Sequence, residues 1–274
     1  CHRSLKVIQC PKPFAQSEFL STVDGQDHLG DGPHDARLRP RLVGVGAYRF
    51  PVPAGIGHLG DLVGYGPDPN AVIVRLRAIA HIIIRGNHDK ACASLSDAAE
   101  FNPLARLATD WTRQHLTPEH IEYLKNLPTG PLTIDWFEIV HGAPIDEDEY
   151  ILGPGQALPA LRNLAVQAVF FGHTHYQGGF MLSPKGRFQS IRCSSKEDSQ
   201  TVTLPLEDGG KYLINPGSAG QPRDGDWRAG FAILDSDQRQ VEYFRTPYDL
   251  ATTQEKMRAG GLPDPLIRRL EIGR

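Results

Sequence analysis

From about residue 56 onward, short apolar runs alternate with segments whose apolar residues recur every three or four positions. The apolar runs are rich in β-branched or aromatic side chains and are bounded by polar residues or glycine, which is typical of buried strands. They are residues 80–85, 136–141, 166–172 and 211–215. Residues 230–235 and 240–245 predict an antiparallel hairpin, because a short polar turn separates two strand-like runs.

The segments between these runs predict helices. Asp68–Pro69 is a helix-start signal, with Asp68 as the capping residue, and the helix would continue to about residue 79. Thr117–Pro118 starts a second predicted helix, and residues 102–116 form a third. Strands that alternate with helices indicate an α/β fold built in layers.

Two stretches lack this regularity. Residues 1–55 contain a candidate strand at 5–10 and are otherwise rich in glycine, proline and arginine without a clear period, so this segment is atypical and stays unassigned. The polar stretch 194–210 predicts a surface loop. We therefore expect one α/β domain over residues 56–250 and a helical tail over residues 251–274.

Composition narrows the class of protein. The chain has 274 residues, is 40% hydrophobic, and carries a net charge of −3 with an isoelectric point near 6.4. Neither a nucleic-acid-binding surface nor a membrane span is indicated. The four cysteines form no C-x-x-C pair, so we expect a reduced, cytoplasmic protein.

Polar residues follow several predicted strands at the same end. In an open α/β sheet, ligands bind beyond the carboxyl ends of the strands. A single Asp, Asn or His there is commonly a turn or capping residue, but its recurrence at successive strands indicates a shared site. The residues concerned are Asp61, Asn87, His88, Asp89, His141, His173 and His175.

The pair His173 and His175 has two interpretations. It is either a surface turn or two imidazoles directed at one metal ion, since imidazole nitrogen is the commonest protein ligand for transition metals. A lactamase-type site, which needs H-x-H-x-D-H, is excluded because Tyr176 and Gln177 follow the pair.

Taken together, the motifs resemble those of the calcineurin-like metallophosphoesterases, in the compact bacterial branch of that family. The family carries D-x-H, G-D, G-N-H-D/E, a lone H-G and G-H-x-H in this order. Four of the five occur here between roughly residues 58 and 250: Gly60-Asp61, Gly86-Asn87-His88-Asp89, His141-Gly142 and Gly172-His173-Thr174-His175. The resemblance implies a single-domain α/β/β/α sandwich that hydrolyses phosphate monoesters or diesters with a metal-activated water.

The resemblance also implies a site for two divalent transition metal ions. Asp61 would bridge the ions, Asn87, His141 and His173 would complete one site, and His175 would join the other. Manganese, iron, zinc, nickel and cobalt all suit such mixed nitrogen and oxygen ligands. The expected substrate is a phosphorylated small molecule or a phosphoprotein, and the oligomeric state stays open.

Three further residues have expected roles. By resemblance, His88 would contact the phosphate or protonate the leaving oxygen, and Asp89 would fix the orientation of His88. Arg223 follows a predicted strand in a Gly/Pro-rich loop, where it is either a substrate-binding contact to a phosphate or a solvent-facing side chain.

The fifth motif is missing from the expected window. Residues 26–36 contain Asp27, His28, Asp31 and His34, but no D-x-H triplet, so we assign no ligand there. Either a frameshifted reading of the gene or divergence explains this segment. Two hypotheses therefore stand: an active phosphoesterase, or a non-catalytic module that keeps the fold and binds one metal ion.

Overall fold

The computed structural model of the chain describes residues 4–9, 55–96, 98, 101–193 and 202–274. The strands in these residues form two six-stranded sheets. They are β1 (Ser4–Ile8), β2 (Gly55–His58), β3 (Ile82–Ile83), β4 (Leu132–Ile134), β5 (Phe137–Val140), β6 (Ala168–Phe171), β7 (Gly178–Leu182), β8 (Phe188–Arg192), β9 (Val202–Pro205), β10 (Lys211–Asn215), β11 (Ala229–Asp235) and β12 (Gln240–Thr246).

Each sheet combines parallel and antiparallel pairs. The first has the order β3-β2-β1-β11-β12-β9, with β1, β2 and β3 parallel to one another. The second has the order β4-β5-β6-β10-β7-β8, with β5, β6 and β10 parallel. The parallel strands place their carboxyl ends at one edge of each sheet, where ligands bind in folds of this kind.

Helices connect and cover the sheets. They are α1 (Pro69–Ile79), α2 (Asn87–Cys92), α3 (Pro103–His115), α4 (Pro118–Lys125), α5 (Pro154–Asn163), α6 (Leu250–Ala259) and α7 (Asp264–Ile272). The side chains of Asn102 and Thr117 cap α3 and α4 by accepting hydrogen bonds from backbone N–H groups. The predicted cap at Asp68 is wrong in its chemistry: the Asp68 side chain makes no capping bond and pairs instead with Lys256 at 2.9 Å.

The main core lies between the two sheets. Leu5, Phe137, Phe170, Tyr212 and Tyr243, which come from both sheets, are buried in one cluster. Further apolar clusters join the first sheet to α1 and α4 and the second sheet to α5. The order of layers is thus helix, sheet, sheet, helix in a single domain, which confirms the predicted α/β/β/α sandwich.

The structure adds a strand inside a predicted loop and confirms the candidate strand near the start of the chain. Residues 202–205 lie inside the predicted loop 194–210 but form β9, because Val202 and Leu204 pack toward the core while Thr203 points outward. The candidate strand at 5–10 becomes β1, paired on both sides in the first sheet. Asp27, His28, Asp31 and His34 lie outside the described residues. The proposed division at residues 55 and 250 stays a prediction.

Within the part of the chain that the structure describes, every helix is too short or too polar to cross a lipid bilayer.

Candidate metal centre

Five polar side chains meet at the carboxyl ends of four strands. Asp61 follows β2, Asn87 follows β3, His141 follows β5, and His173 and His175 follow β6. All of them except Asn87 are at least 95% buried. We call these five residues the strand-end cluster. The recurrence of polar groups after successive strands therefore reflects one site.

The backbone of this cluster adopts an uncommon conformation. Asp61, His173 and His175 have φ angles of 59°, 61° and 62°, in the left-handed region that non-glycine residues avoid. Strain of this kind concentrates at functional sites, where the surrounding structure enforces it. A side chain at Gly86 would come within 2.3 Å of the Asp61 backbone nitrogen, so only glycine permits this close approach of the two loops.

Each histidine of the cluster is held by a backbone carbonyl. His141 Nδ1 lies 2.7 Å from the oxygen of Leu59, His173 Nε2 lies 3.0 Å from that of Asp148, and His175 Nδ1 lies 2.8 Å from that of Gln221. Because a carbonyl only accepts, these nitrogens carry the hydrogen. The other nitrogen of each ring is therefore a lone-pair acceptor, as in histidines that bind metals.

These acceptor atoms converge. His141 Nε2 lies 3.1 Å from His173 Nδ1, 3.1 Å from Asn87 Oδ1 and 3.4 Å from Asp61 Oδ1. Ligand atoms of Asp61, His141 and His173 all lie within 4.8 Å of one another. Facing acceptors with no hydrogen between them repel one another unless a cation lies among them. This donor set fits a transition metal ion.

A second position adjoins the first. Asp61 Oδ2 is buried without a hydrogen-bond partner among the described residues and lies 3.7 Å from His175 Nε2. The two oxygens of Asp61 therefore lie near different histidines: Oδ1 near His141 and Oδ2 near His175. A carboxylate with this orientation can bridge two cations.

Burial keeps the imidazoles of His173 and His175 neutral. It lowers the pKa of His173 to about 2 and that of His175 to about 3. Burial also disfavours the charged form of Asp61, but His141 and His175 hold the pKa of Asp61 well below its usual value. Neutral imidazoles and an ionised carboxylate are the forms that bind metal ions.

Asp89 is bonded to backbone groups of two segments of the site. Its carboxylate accepts hydrogen bonds from the backbone N–H groups of Leu62, Val63 and Gly86 at 2.8, 3.2 and 2.9 Å. Burial and the charge of Asp61 raise the pKa of Asp89 to about 8. Asp89 therefore joins the loop after Asp61 to the start of α2. Its oxygens are engaged by backbone groups, and the expectation that Asp89 orients the His88 ring stays a prediction.

His88 is oriented by aromatic neighbours. Its ring lies between Tyr65 and Phe101, with centroids at 4.4 and 4.7 Å, and Nδ1 lies 3.5 Å from the hydroxyl of Thr109. Gly64 leaves the necessary space, since a Cβ there would lie 2.5 Å from the His88 ring. Burial lowers the pKa of His88 to about 4, so the ring is neutral at pH 7.

The loop after His141 covers His173. Tyr150 stacks on the His173 ring with centroids 3.7 Å apart at 21°, and the Asp148 carbonyl accepts the His173 hydrogen bond. Lys90 on α2 pairs with both Glu147 and Asp148. One loop therefore fixes the edge and the face of His173 and is itself held by the helix that carries Asn87.

Arg223 lies at the rim of the same site. We call residues 216–228 the arginine loop. The Arg223 backbone nitrogen donates to the carbonyl of His175 at 3.1 Å, and its guanidinium contacts the Gln221 side chain and lies over the Tyr65 ring at 5.6 Å. No described carboxylate forms a salt bridge with it. Its charge is therefore available to an anion.

Sequence reasoning missed two residues at this site. Tyr150 gave no signal, because it lies nine positions after His141 in an irregular loop. His58, on β2, is fully buried next to the Asp61 loop, and its Nδ1 accepts a hydrogen bond from Gly60 at 3.2 Å. The only feature of the sequence that could have indicated His58 is its position three residues before Asp61.

The chain is similar in sequence to known proteins. Residues 49–177 match the family model described as calcineurin-like phosphoesterase. The uncharacterized protein MJ0912 of Methanocaldococcus jannaschii is 31% identical over 221 residues, which are 79% of this chain and 85% of that protein.

The fold of the chain is also similar to that of solved structures. The metallophosphoesterase from Sphaerobacter thermophilus is 30% identical, with a TM-score of 0.75 and 100% coverage of both chains. The hypothetical protein PH1004 from Pyrococcus horikoshii OT3 shares the fold at 18% identity, with a TM-score of 0.66 over 99% of this chain and 98% of that one. With the motifs, the sandwich and the metal-binding geometry in agreement, the chain belongs to the calcineurin-like phosphoesterase family.

Proposed function

We propose that this chain hydrolyses phosphate monoesters or diesters with divalent transition metal ions held by the strand-end cluster. One observation carries the proposal: Asp61, Asn87, His141 and His173 direct acceptor atoms at a common point while backbone carbonyls occupy the opposite nitrogens of both rings. A structural cluster would pair these acceptors with hydrogens, whereas here His141 Nε2 faces Asn87 Oδ1 and His173 Nδ1 with no hydrogen between them.

The residues fit two ions in unequal ways. Four described side chains surround the first position, whereas Asp61 and His175 are the described groups beside the second. Binding of two ions per chain, with Asp61 beside both positions, would favour hydrolysis, and binding of one ion would favour the non-catalytic module. The number of ions bound per chain therefore separates the two hypotheses.

Bound metal ions would supply positive charge that polarises phosphoryl oxygens and lowers the pKa of a water molecule toward neutrality. The chain's own residues do the rest. Asp61 contributes the negative charge that lets two cations lie close together. Arg223 offers its guanidinium to a phosphoryl oxygen, because no described carboxylate engages it.

His88 completes the proposed machinery. Asp61 and Arg223 both act electrostatically on its ring, so the ring lies within the field of the site without belonging to the set of acceptors. As a neutral imidazole it can donate its N–H group to a phosphoryl oxygen or to the leaving oxygen. Burial among Tyr65, Phe101 and Thr109 keeps the ring in place between turnovers.

The test is metal analysis combined with hydrolysis. We expect the purified protein to bind two ions of manganese or another divalent transition metal and to hydrolyse phenyl phosphate or diphenyl phosphate. His173→Ala should abolish both properties, whereas His115→Ala, which changes a histidine on α3 outside the cluster, should leave both unchanged. Metal binding without hydrolysis of any ester would favour the non-catalytic module. Equal metal content in the two variants would reject the site.

A further inference from the structure

Large apolar side chains are exposed around the candidate metal centre. Ile145, Tyr150 and Leu152 are 89%, 43% and 65% exposed, and Tyr176 is 51% exposed. We call these four residues the apolar rim. The other exposed large apolar residues among those described, Val74, Leu95, Leu107 and Ile272, are dispersed over other elements. Apolar side chains concentrated beside a site indicate a surface that binds a ligand.

The rim is attached to the residues of the site. Tyr150 stacks with one face on His173. Tyr176 directly follows His175, and Ile145 belongs to the loop that Lys90 anchors through Glu147 and Asp148. A molecule on the rim would therefore lie next to a phosphoryl group held at the strand-end cluster.

Space for such a molecule adjoins the rim. A cavity of about 1270 Å³ is lined by Leu152, Thr174, Tyr176 and Trp227, among others. Thr174 and Tyr176 flank His175 in the sequence, so the cavity begins at the loop that carries the last two histidines. Pockets of this size take whole small ligands, and aromatic side chains in them bind planar rings.

Arg223 adjoins the strand-end cluster through its bond to the His175 carbonyl and is not one of the described residues that line the cavity. Three arginines among the described residues line the cavity wall: Arg192, Arg228, which pairs with Asp226 at 2.7 Å, and Arg245, which pairs with Asp224. The Arg223 guanidinium lies over the Tyr65 ring, 5.6 Å from its centroid. The site thus combines a cation for an anionic group with aromatic surface beside it.

We propose that the apolar rim and the adjoining cavity bind the leaving group of the substrate, and that this leaving group carries an aromatic ring, as in an aryl or a nucleoside phosphate. This inference rests on the proposed function and specifies its substrate class. Tyr176 and Leu152 would contact the ring, while the strand-end cluster and Arg223 hold the phosphate.

The test measures binding of stable phosphonates by calorimetry to the metal-loaded protein. Phenylphosphonate should bind about 3–10-fold more tightly than methylphosphonate, the range of a favourable aromatic contact. In Tyr176→Ala and in Leu152→Ala this ratio should fall toward one, with methylphosphonate affinity and metal content unchanged as a check on folding. Val74→Ala removes an equally exposed side chain on α1 and should keep the ratio. A nucleoside 5′-phosphonate beside phenylphosphonate then shows which aromatic source binds better.

The outcomes are distinct. Equal affinity for the two small phosphonates, or a ratio unchanged in both rim variants, overturns this inference and leaves the proposed function standing. Failure of the metal-loaded protein to bind any phosphonate overturns both proposals. A dimer that Tyr176→Ala dissociates would show that the rim contacts a second copy of the chain, and would also overturn the inference.

Discussion

The strand-end cluster and the arginine loop lie side by side but are held by different kinds of interaction. The histidines of the cluster are fixed by backbone carbonyls of Leu59, Asp148 and Gln221. The arginine loop shares backbone bonds with the cluster, such as that from Arg223 to the His175 carbonyl, but it also depends on side-chain pairs: Asp224 with Arg245 and, within the loop, Asp226 with Arg228. Geometry set by the backbone persists when surface residues change, whereas geometry set by ion pairs changes with single substitutions. Metal binding and substrate handling should therefore be separable by mutation.

The largest effect is expected at Asp61. In Asp61→Asn the amide can still accept the backbone hydrogen bond from His88, now 3.0 Å from Oδ1, but it lacks the negative charge that faces both cation positions. Metal affinity should fall by more than about 100-fold, because changing even the partners of metal ligands costs about 10–100-fold. Calorimetric titration with Mn²⁺ measures this.

The same variant should not lose stability in the presence of a chelator. Replacing Asp61 removes a buried charge that raises the pKa of Asp89, so the melting temperature of the metal-free protein should stay the same or rise. A lower melting temperature with unchanged metal affinity would show that Asp61 serves the fold rather than the site.

His88→Ala should give the next largest effect. We expect turnover of an alkyl phosphate to fall by about 10²–10⁴-fold, the usual contribution of a positioned proton donor. Metal content should not change, because the His88 ring packs on Tyr65 and Phe101 and lies outside the acceptor set.

A nitrophenyl ester, whose leaving group needs no proton, separates the two roles that the sequence left open. A smaller loss on this ester identifies proton donation, and equal losses identify contact with a phosphoryl oxygen. Loss of metal in His88→Ala, or unchanged turnover, would remove His88 from the proposed machinery.

The smallest effect is expected in the arginine loop. Asp224 accepts a hydrogen bond from the Gln177 backbone at 2.8 Å and pairs with Arg245, next to Arg223. In Asp224→Asn the KM for a phosphate ester should rise by up to about 10-fold, since weakening a charge-assisted hydrogen bond costs on the order of 1 kcal/mol. Metal content should stay the same.

Asp264→Asn is the matched control, because Asp264 forms an exposed pair with Arg268 within one helix. Exposed pairs of this kind contribute little to stability, so no kinetic change is expected. An Asp224→Asn variant that loses metal would contradict the separation of the two regions.

The sequence predicted the fold where local pattern decides the structure. The strand 211–215 matches its predicted bounds, and the strand ends that deliver Asn87, His141 and His173 were identified from apolar runs followed by polar residues. β9 escaped detection because its apolar side alternates over only two residues, Val202 and Leu204, and pairing with β12 stabilises it.

The residues that form the site were predicted from the sequence, but several of their contacts were not. Family motifs indicated which residues meet, yet the role of Asp89 and the position of Tyr150 depend on contacts between segments far apart in sequence. Asp89 bonds to residues 26 and 27 positions away, and Tyr150 stacks on a ring 23 positions later. Neither contact follows from the local periodicity on which sequence reasoning depends.

The left-handed backbone at Asp61, His173 and His175 sets a limit on engineering this protein. Glycine adopts such φ angles without strain, so a search for stabilising substitutions would select glycine at all three positions. Each such replacement would also delete a side chain of the strand-end cluster. At these three positions a substitution that raises thermostability would therefore lower metal affinity. Stabilising substitutions that preserve metal binding have to be made at other positions.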